Sequence, residues 1–223
     1  TIVHYDGSAW SPMRSGASDP LKGVWGTSAI DVFAVGDSGA ILHYDGRAWS
    51  TMVIGTTMTL RGIWGSSAAD IWAVGDSGTI AHRDGRIWRS ITSGTTMSLQ
   101  GVWGSSATDV FAVGGGDPFT GGRGIVLHYD GRVWSPMAIG TTAPLLGIWG
   151  SSAADVWAVG AGGAILHYDG RSWVPMISGT TMSLQGVWGS SATDIWAVGV
   201  GGTIVHYDGH TWSARSTGPW GAG

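Results

Sequence analysis

The sequence contains no cysteine and no glutamate, and Lys22 is its only lysine. The lack of cysteine excludes disulfides, thiolate metal ligands and a cysteine nucleophile. Charged residues make up only 12% of the 223 residues, and the net charge is −4, so a basic surface for nucleic acid is not expected. No apolar run approaches the roughly 20 residues that span a bilayer as a helix. We therefore expect neither a nucleic-acid partner nor a membrane span.

Glycine and tryptophan are abundant, with 40 and 15 copies, and 43% of the residues are hydrophobic. Glutamate is a strong helix former and glycine a poor one, so this composition argues against helices. The hydrophobic fraction is large enough for a sizeable core. The chain begins at Thr1 and not at a methionine, which we take to indicate a processed protein or a fragment.

An internal repeat dominates the sequence. The tetrapeptide Gly-(Val/Ile)-Trp-Gly occurs five times, with spacings of 39, 39, 46 and 39 residues. A seven-residue insertion around residues 115–122 accounts for the longer spacing. The copies begin at Gly23, Gly62, Gly101, Gly147 and Gly186. Self-similarity at a period of this length is typical of solenoids and propellers.

One repeat, residues 60–91, shows the plan of the unit. Four short runs rich in β-branched and aromatic residues are separated by turns of Gly, Asp and Ser, which predicts four strands. The dipeptide Asp84-Gly85 is a strong signal for a two-residue hairpin. Four strands per roughly forty residues are typical of a propeller blade. A β-helix is the main alternative, but its rungs are shorter and would not need an Asp-Gly hairpin in every unit.

The predicted fold is an all-β β-propeller of four-stranded blades, in a single domain over residues 1–223. Its repeats begin near Leu21, Leu60, Leu99, Leu145 and Leu184. The His-Tyr-Asp-Gly hairpin, once varied to His-Arg-Asp-Gly, occurs six times, once more than the first strand. We therefore expect five full blades and a partial sixth, formed from the termini by residues 1–20 and 216–223. If the ring has only five blades, the surplus strands would exchange into a partner and form a homo-oligomer.

The unit Leu-x-Gly-Val-Trp-Gly…Asp-Val-Trp-Ala-Val-Gly…Gly-x-Ile-Leu-His-Tyr-Asp-Gly-x-x-Trp resembles two groups of propellers over nearly the whole chain. One is the sialidase-like group with Asp-box hairpins, which includes the photosystem II assembly-factor propellers. The hairpin here, as in residues 45–49, is one residue shorter than the usual Asp box. The other group is the tectonin-type lectins. The resemblance implies blade architecture, and either glycan binding or a role in protein assembly.

The insertion is the main break in the repeat. If the first strand is innermost, the fourth-to-first and second-to-third connections share one end of each blade. The insertion belongs to a second-to-third connection, so we expect it at that end. Binding residues concentrate on loops held by a rigid scaffold. Within this break Asp117, Phe119 and Arg123 form a charged and aromatic cluster, and we predict that they contact a ligand.

Two more kinds of residue are predicted ligand contacts. Asp37 and Asp76 are replaced in later blades by Ala161 and Val200, so the repeat itself does not require them. The tryptophans form one series on the first strands and another after the hairpins. Packing between blades is the simpler interpretation, since one Trp buries on the order of 200 Å², but aromatic rings also stack on sugars. The hairpin series is expected to be the more exposed, and its predicted ligand contacts are Trp49, Trp88, Trp134 and Trp173.

Six histidines occupy one position of the third strand, roughly 10 Å from the innermost strand if strands lie about 4.8 Å apart. Copies in different blades cannot converge on one ion, so we predict a structural hydrogen bond and no metal or other cofactor. The Asp-Gly aspartates are expected to cap their own backbone. We expect the same of the aspartates that end the Ser-Ser-Ala turns, which are Asp31, Asp70, Asp109, Asp155 and Asp194.

The main functional hypothesis is a non-enzymatic, multivalent, lectin-like protein that binds carbohydrate, because identical weak sites gain avidity on a polyvalent surface. The alternative is a protein–protein interaction or assembly scaffold, which the insertion favours. No catalytic residue is predicted, because catalysis needs different groups in one pocket and this chain hardly breaks its repeat symmetry. The expected partner is a glycan or a protein surface. We expect a secreted bacterial protein, located outside the cell or at the cell surface.

Overall fold

The computed structural model describes residues 1–85, 87–116 and 122–215. Its regular structure in these ranges consists of 22 strands and several single-turn 3₁₀ segments, arranged as one two-stranded and five four-stranded sheets. The strand order of each four-stranded sheet follows the chain, as in a propeller blade. The predicted all-β propeller, with five full blades and a partial sixth, is confirmed. The chain divides into two compact units, Thr1–Leu99 and Gln100–Gly223.

The first unit contains the two-stranded sheet and two blades. The two-stranded sheet is the hairpin of β1 (Ile2–Tyr5) and β2 (Trp10–Met13). Blade 1 consists of β3 (Leu21–Ser28), β4 (Asp31–Gly36), β5 (Ile41–Tyr44) and β6 (Trp49–Met52). Blade 2 consists of β7 (Leu60–Ser67), β8 (Asp70–Gly75), β9 (Ile80–Asp84) and β10 (Ile87–Ile91). Residues 1–20 thus supply the two strands expected of a partial blade, while residues 216–223 lie outside the described residues.

The second unit contains three blades, the first of which begins just before the boundary. Blade 3 consists of β11 (Ser98–Ser106), β12 (Asp109–Gly115), β13 (Gly124–Tyr129) and β14 (Trp134–Pro136). Blade 4 consists of β15 (Leu145–Ser152), β16 (Asp155–Gly160), β17 (Ile165–Tyr168) and β18 (Trp173–Met176). Blade 5 consists of β19 (Leu184–Ser191), β20 (Asp194–Gly199), β21 (Ile204–Tyr207) and β22 (Trp212–Ala214). No helix in the described ranges is long and apolar enough to cross a membrane.

The second strand of blades 1 to 4 forms the core of its blade. Its apolar run is buried on both faces, as in Ile71 to Val74 of β8, where none of the four side chains is more than 1% exposed. Glycines allow the close backbone approach at the end of this strand. A Cβ on Gly75 would lie 2.0 Å from the carbonyl oxygen of Thr59, a distance at which the turn could not close.

The first-strand tryptophans pack neighbouring blades together within each unit. A Cβ added to Gly65 of blade 2 would lie 2.8 Å from the ring of Trp25 in blade 1. The same relation joins Gly150 to Trp103, and Gly189 to Trp149. Within a unit, the tryptophan of the repeated Trp-Gly pair therefore covers the following blade, and the glycine of that blade receives its ring.

A second contact between blades is aromatic. The Phe111 ring of blade 3 lies 5.5 Å from Tyr168 and 6.2 Å from Trp173 of blade 4. The Trp157 ring of blade 4 lies 4.8 Å from Tyr207 and 5.6 Å from Trp212 of blade 5. Within the second unit, the aromatic residue of one blade's second strand is thus covered by the hairpin Tyr and Trp of the next blade. Edge and tilted ring pairs of this kind add stabilisation beyond the area that they bury.

Candidate binding face

Each blade presents two ends with different chemistry. The turn end carries the Ser-Ser-Ala turn between its first two strands and the Asp-Gly turn between its last two. The groove end carries the turn between strands two and three and the loops that join neighbouring blades. At the groove end of blade 1 the Asp37 backbone N–H donates to the carbonyl of Pro20, and in blade 2 Asp76 donates to Thr59, both at 2.9 Å. The expected pairing of connections at one end is therefore observed.

Each of the five blades has its own trio of Ser or Thr, Asp and His, which links the first three strands of that blade at the turn end. In blade 4 the Nε2 of His167 lies 2.8 Å from one oxygen of Asp155, and the Ser151 hydroxyl donates to the other. The corresponding His–Asp distances in the other blades are between 2.6 and 2.8 Å. Each histidine ring also stacks on the second-strand aromatic residue, with centroids 3.8 to 4.5 Å apart.

These trios are structural and lack the order of a hydrolytic triad. In such a triad the nucleophilic hydroxyl contacts the histidine, and the carboxylate orients the histidine from the other side. Here the serine contacts the aspartate, so the histidine is not placed to remove the serine proton. The predicted structural hydrogen bond of the histidines is confirmed in the five full blades. The expectation that the turn aspartates cap their own backbone is wrong, because their carboxylates bind the side chains of two other elements.

Hydrogen bonding lowers the pKa of several of these carboxyl groups. Burial raises the pKa of Asp31, but hydrogen bonds from Thr27 and His43 outweigh it, and the pKa lies below the usual value. In blade 5 the hydrogen bond from Ser190, followed by that from His206, lowers the pKa of Asp194. Both carboxyl groups therefore stay ionised at a lower pH than an isolated aspartate would.

Five of the Asp-Gly turns, at Asp6, Asp45, Asp130, Asp169 and Asp208, behave as expected. Asp45 Oδ1 accepts hydrogen bonds from the backbone N–H groups of Arg47 and Ala48, each at 2.9 Å. At the equivalent Asp6 the N–H groups of Ala9 and Ser8 lower the pKa to about 2. The glycine that follows each aspartate has a positive φ, for example +88° at Gly46, which is why glycine is needed there.

The groove end repeats a shallow groove in several blades. In blade 4 it has a volume of about 880 Å³ and lies between residues 161–164 of the second-to-third turn, residues 176–182 of the following loop, and Thr141 and Ala143. Equivalent grooves of about 530 and 630 Å³ lie on blades 1 and 2. Glycine, serine, threonine, methionine and small or aliphatic residues line all three, Asp19 adds a carboxylate in blade 1, and none of the three linings contains an aromatic ring.

Local hydrogen bonds make the blade 4 groove rigid. The buried Ser178 hydroxyl donates to the carbonyl of Thr180 at 3.1 Å and accepts from its N–H at 3.3 Å. Gly179 between them has a φ of +74°, and the Thr180 hydroxyl accepts from the N–H of Met182 at 3.1 Å. The sequence Ser-Gly-Thr-Thr-Met therefore determines the loop conformation, and Ser93 forms the same turn in blade 2.

Two ion pairs distinguish the groove ends of blades 1 and 2. Arg61 donates from Nε to Asp76 Oδ1 at 2.6 Å and from a terminal nitrogen to Oδ2 at 3.0 Å. The hydrogen bond from Arg61 lowers the pKa of Asp76, and that hydrogen bond in turn raises the pKa of Arg61. In blade 1 Lys22 Nζ lies 3.4 Å from Asp37. The structure thus brings the predicted ligand contacts Asp37 and Asp76 to the groove end, each paired with a cation.

The insertion also emerges at the groove end. Its stem continues the β12–β13 ladder, in which Gly115 pairs with Gly124 and the Gly116 N–H donates to the carbonyl of Arg123 at 3.1 Å. The Gly124 N–H donates to the carbonyl of Thr142, next to the loop residues that line the blade 4 groove. Arg123 is exposed at this stem. The predicted contacts Asp117 and Phe119 lie outside the described residues.

The hairpin tryptophans lie away from the grooves. Trp88, Trp134 and Trp173 are at most 8% exposed, and Trp49 is half-buried. The Trp173 ring packs on Phe111, and its Nε1 donates to the Met137 sulfur at 3.4 Å. Trp88 and Trp173 pack against the preceding blade, and ligand binding by the four rings stays a prediction.

The sequence reasoning missed the Ser–Asp–His trios and the grooves. A signal for the trios was present, because the aspartate precedes the histidine by 12 residues in four blades and by 19 in the blade that carries the seven-residue insertion. The grooves had no such signal, since they form only where two loops distant in sequence approach each other. No cluster of three or more metal-ligating side chains occurs in the ranges that the structure covers.

No protein-family model matches the chain, and no curated protein matches it. Solved structures do. "YCF48 bound to D1 peptide" shares 17% identity at a TM-score of 0.70, covering 93% of this chain and 71% of that one. "YCF48 from Cyanidioschyzon merolae" shares 18% at 0.68, covering 94% and 76%, and the "WD40 beta propeller domain of Doa1" shares 12% at 0.70, covering 89% and 68%. At these identities the similarity shows the fold, and the chain is a β-propeller. The likeness to tectonin-type lectins and to Asp-box hairpins receives no support from these structures.

Proposed function

We propose that this propeller is a non-enzymatic protein-interaction scaffold that binds an extended segment of a partner protein in a groove of a single blade. The observation that carries the proposal is the chemistry of the grooves. Backbone groups and the hydroxyls of Ser and Thr lie within a rigid loop frame, aliphatic and methionine side chains rim it, and the lining contains no aromatic ring. A peptide offers what such a groove can pair with, namely amide groups and apolar side chains.

Exposed apolar side chains at the groove rim favour a protein partner over a glycan. Ile177 is 90% exposed and Met182 51% exposed beside the blade 4 groove, and Val53 is exposed beside the groove of blade 1. Methionine and aromatic residues are enriched in protein interfaces, and exposed apolar clusters commonly mark them. The carbohydrate hypothesis relied on stacking of the hairpin tryptophans on sugar, and three of those four rings are buried.

The departures from the repeat would supply selectivity. The insertion stem adjoins the blade 4 groove, and its exposed Arg123 could pair with an acidic partner residue. In the first unit the Arg61–Asp76 and Lys22–Asp37 pairs place both signs of charge at the groove end. Charged groups arranged in this way steer encounter and set specificity more than they add affinity.

One structural neighbour also supports the proposal. That neighbour is YCF48 bound to a D1 peptide, so a propeller of this fold can hold a peptide. The repeated Ser–Asp–His trios, arranged for hydrogen bonding and not for nucleophilic attack, are consistent with a non-enzymatic role. A secreted bacterial origin and a location outside the cell or at its surface stay predictions.

The test presents the immobilised chain to a random-peptide phage library and, in parallel, to a broad glycan array. We expect peptides to be enriched and the glycan array to show no binding. The variant Ile177→Asp/Met182→Asp should weaken binding of a selected peptide by about tenfold or more, equivalent to about 1.4 kcal/mol. The matched control is Val133→Asp, because Val133 is equally apolar and 57% exposed but lies at the turn end of the same unit. Glycan binding without peptide binding, or equal effects of both variants, would refute the proposal.

A further inference from the structure

We infer that blade 5 carries a docking face for the β1–β2 hairpin of a second copy of this chain. The face is formed by Trp196 and Val198 on the second strand of blade 5. Their counterparts in blade 4, Trp157 and Val159, are at most 1% exposed, whereas Trp196 is 37% and Val198 48% exposed. The repeat thus leaves one of its interblade faces uncovered.

The molecule itself shows what covers such a face. In blade 4, Trp157 and Val159 share one apolar cluster with Val205 and Trp212 of blade 5, and Tyr207 packs against that cluster. Blade 3 repeats the arrangement, with Phe111 and Val113 covered by three residues of the same positions in blade 4, which are Leu166, Tyr168 and Trp173. The covering surface is therefore one apolar residue, one Tyr and one Trp of a third-and-fourth-strand hairpin.

The β1–β2 hairpin carries this set in an exposed form. Val3, Tyr5 and Trp10 occupy the positions of Val205, Tyr207 and Trp212, and they are 53%, 48% and 69% exposed. Their geometry is already that of a covering hairpin. The Tyr5 and Trp10 rings lie 5.3 Å apart at 38°, and the Tyr207 and Trp212 rings lie 5.5 Å apart at 36°.

A single copy thus exposes both halves of an interface that the chain builds twice in its second unit. Burial of two tryptophans, one tyrosine and two valines removes a large apolar area from water, and this is the main driving force of association. The two halves differ, so the contact is head-to-tail, which produces closed rings or open chains of subunits. The homo-oligomer predicted from the surplus hairpin therefore takes a defined form, with the hairpin docking on a sheet face.

The test measures the mass of the full chain by sedimentation velocity at concentrations from micromolar to hundreds of micromolar. We expect the average mass of the wild-type chain to rise with concentration. The variant Trp10→Ser disables the hairpin, and Val198→Lys disables the blade 5 face, so each should weaken self-association by about tenfold or more. Both altered side chains are exposed, and the circular dichroism spectrum of each variant is to be compared with that of the wild type to check that it folds. Val3→Lys is a second hairpin variant with the same expected effect.

Mixing the two variants gives the decisive result. The Trp10→Ser copy keeps its blade 5 face and the Val198→Lys copy keeps its hairpin, so the mixture should form a one-to-one dimer and no larger species. The charge-matched control Val133→Lys changes a side chain that is 57% exposed at the turn end of blade 3 and should associate like the wild type. A single-chain mass of the wild type at every concentration, or a mixture that stays monomeric, would overturn the inference.

Discussion

Replacing Asp155 by alanine should destabilise the protein more than replacing an exposed aspartate by alanine. The reason is that the side chains of three other residues bind this one carboxylate, and all three lose their partner. The carboxylate lies 2.8 Å from His167 Nε2, accepts from Trp157 Nε1 at 2.9 Å, and binds the Ser151 hydroxyl. Hydrogen bonds to a charged group each contribute about 1.5–3 kcal/mol, and they do not add fully. For a half-buried group we expect a loss of about 3 kcal/mol. In a chain of this size that lowers Tm by roughly 6–12 °C.

The assay is urea unfolding followed by circular dichroism and tryptophan fluorescence. Asp155→Asn keeps one acceptor oxygen and should lie between the wild type and Asp155→Ala. The exposed turn residue Asp169, which binds only backbone N–H groups, provides the control, and its alanine variant should change stability less. In a double-mutant cycle Asp155 and His167 should couple by about 1 kcal/mol. A loss below about 1 kcal/mol for Asp155→Ala, with no coupling, would refute the structural role of the trio.

Two further predictions test packing and electrostatics. Gly65→Ala should destabilise the protein by about 1–3 kcal/mol more than Gly26→Ala. Both new methyl groups would lie 2.7 Å from a carbonyl oxygen, but only the one at residue 65 would also meet the Trp25 ring. Equal losses in urea unfolding would contradict the packing of Trp25 on Gly65. The lowered pKa of Asp76 means that the folded state binds its proton less tightly than the unfolded chain, so this contribution is present above pH 3.8 and is lost as pH falls through the lower, folded value. Arg61→Gln should therefore destabilise the protein at pH 6 and have a smaller effect near pH 3, whereas an effect that grows in acid would show that the pair does not act in this way.

The strand pattern of the blades could be predicted because it depends on neighbours in sequence. The Asp-Gly turns need one aspartate that caps its own backbone and one glycine with positive φ, and both are visible in the sequence. The apolar run of β8 predicts a buried strand for the same reason. The role of Asp155 could not be read in this way, because its partners Ser151 and His167 meet only after β15, β16 and β17 have paired.

For the candidate site, sequence correctly indicated that the loop connections meet at one end, and it selected Asp37 and Asp76 by their absence from later blades. It did not indicate that each is paired with a cation, because Arg61 and Asp76 lie 15 residues apart and their contact depends on the register of two strands. The hairpin tryptophans were expected to be the more exposed series. Trp173 is buried instead, because the preceding blade presents Phe111 to it.

The repeat period, the strands and the turns of this protein follow from the sequence alone, because the interactions that form them lie within a few residues or within one hairpin. The grooves, the ion pairs, the trios and the exposed face of blade 5 were decided by tertiary structure. Each of these depends on groups from separate strands or blades, whose approach is set by sheet register and by how neighbouring blades pack. Identical repeat residues such as Trp157 and Trp196 therefore have different surroundings, which no local pattern in the sequence distinguishes.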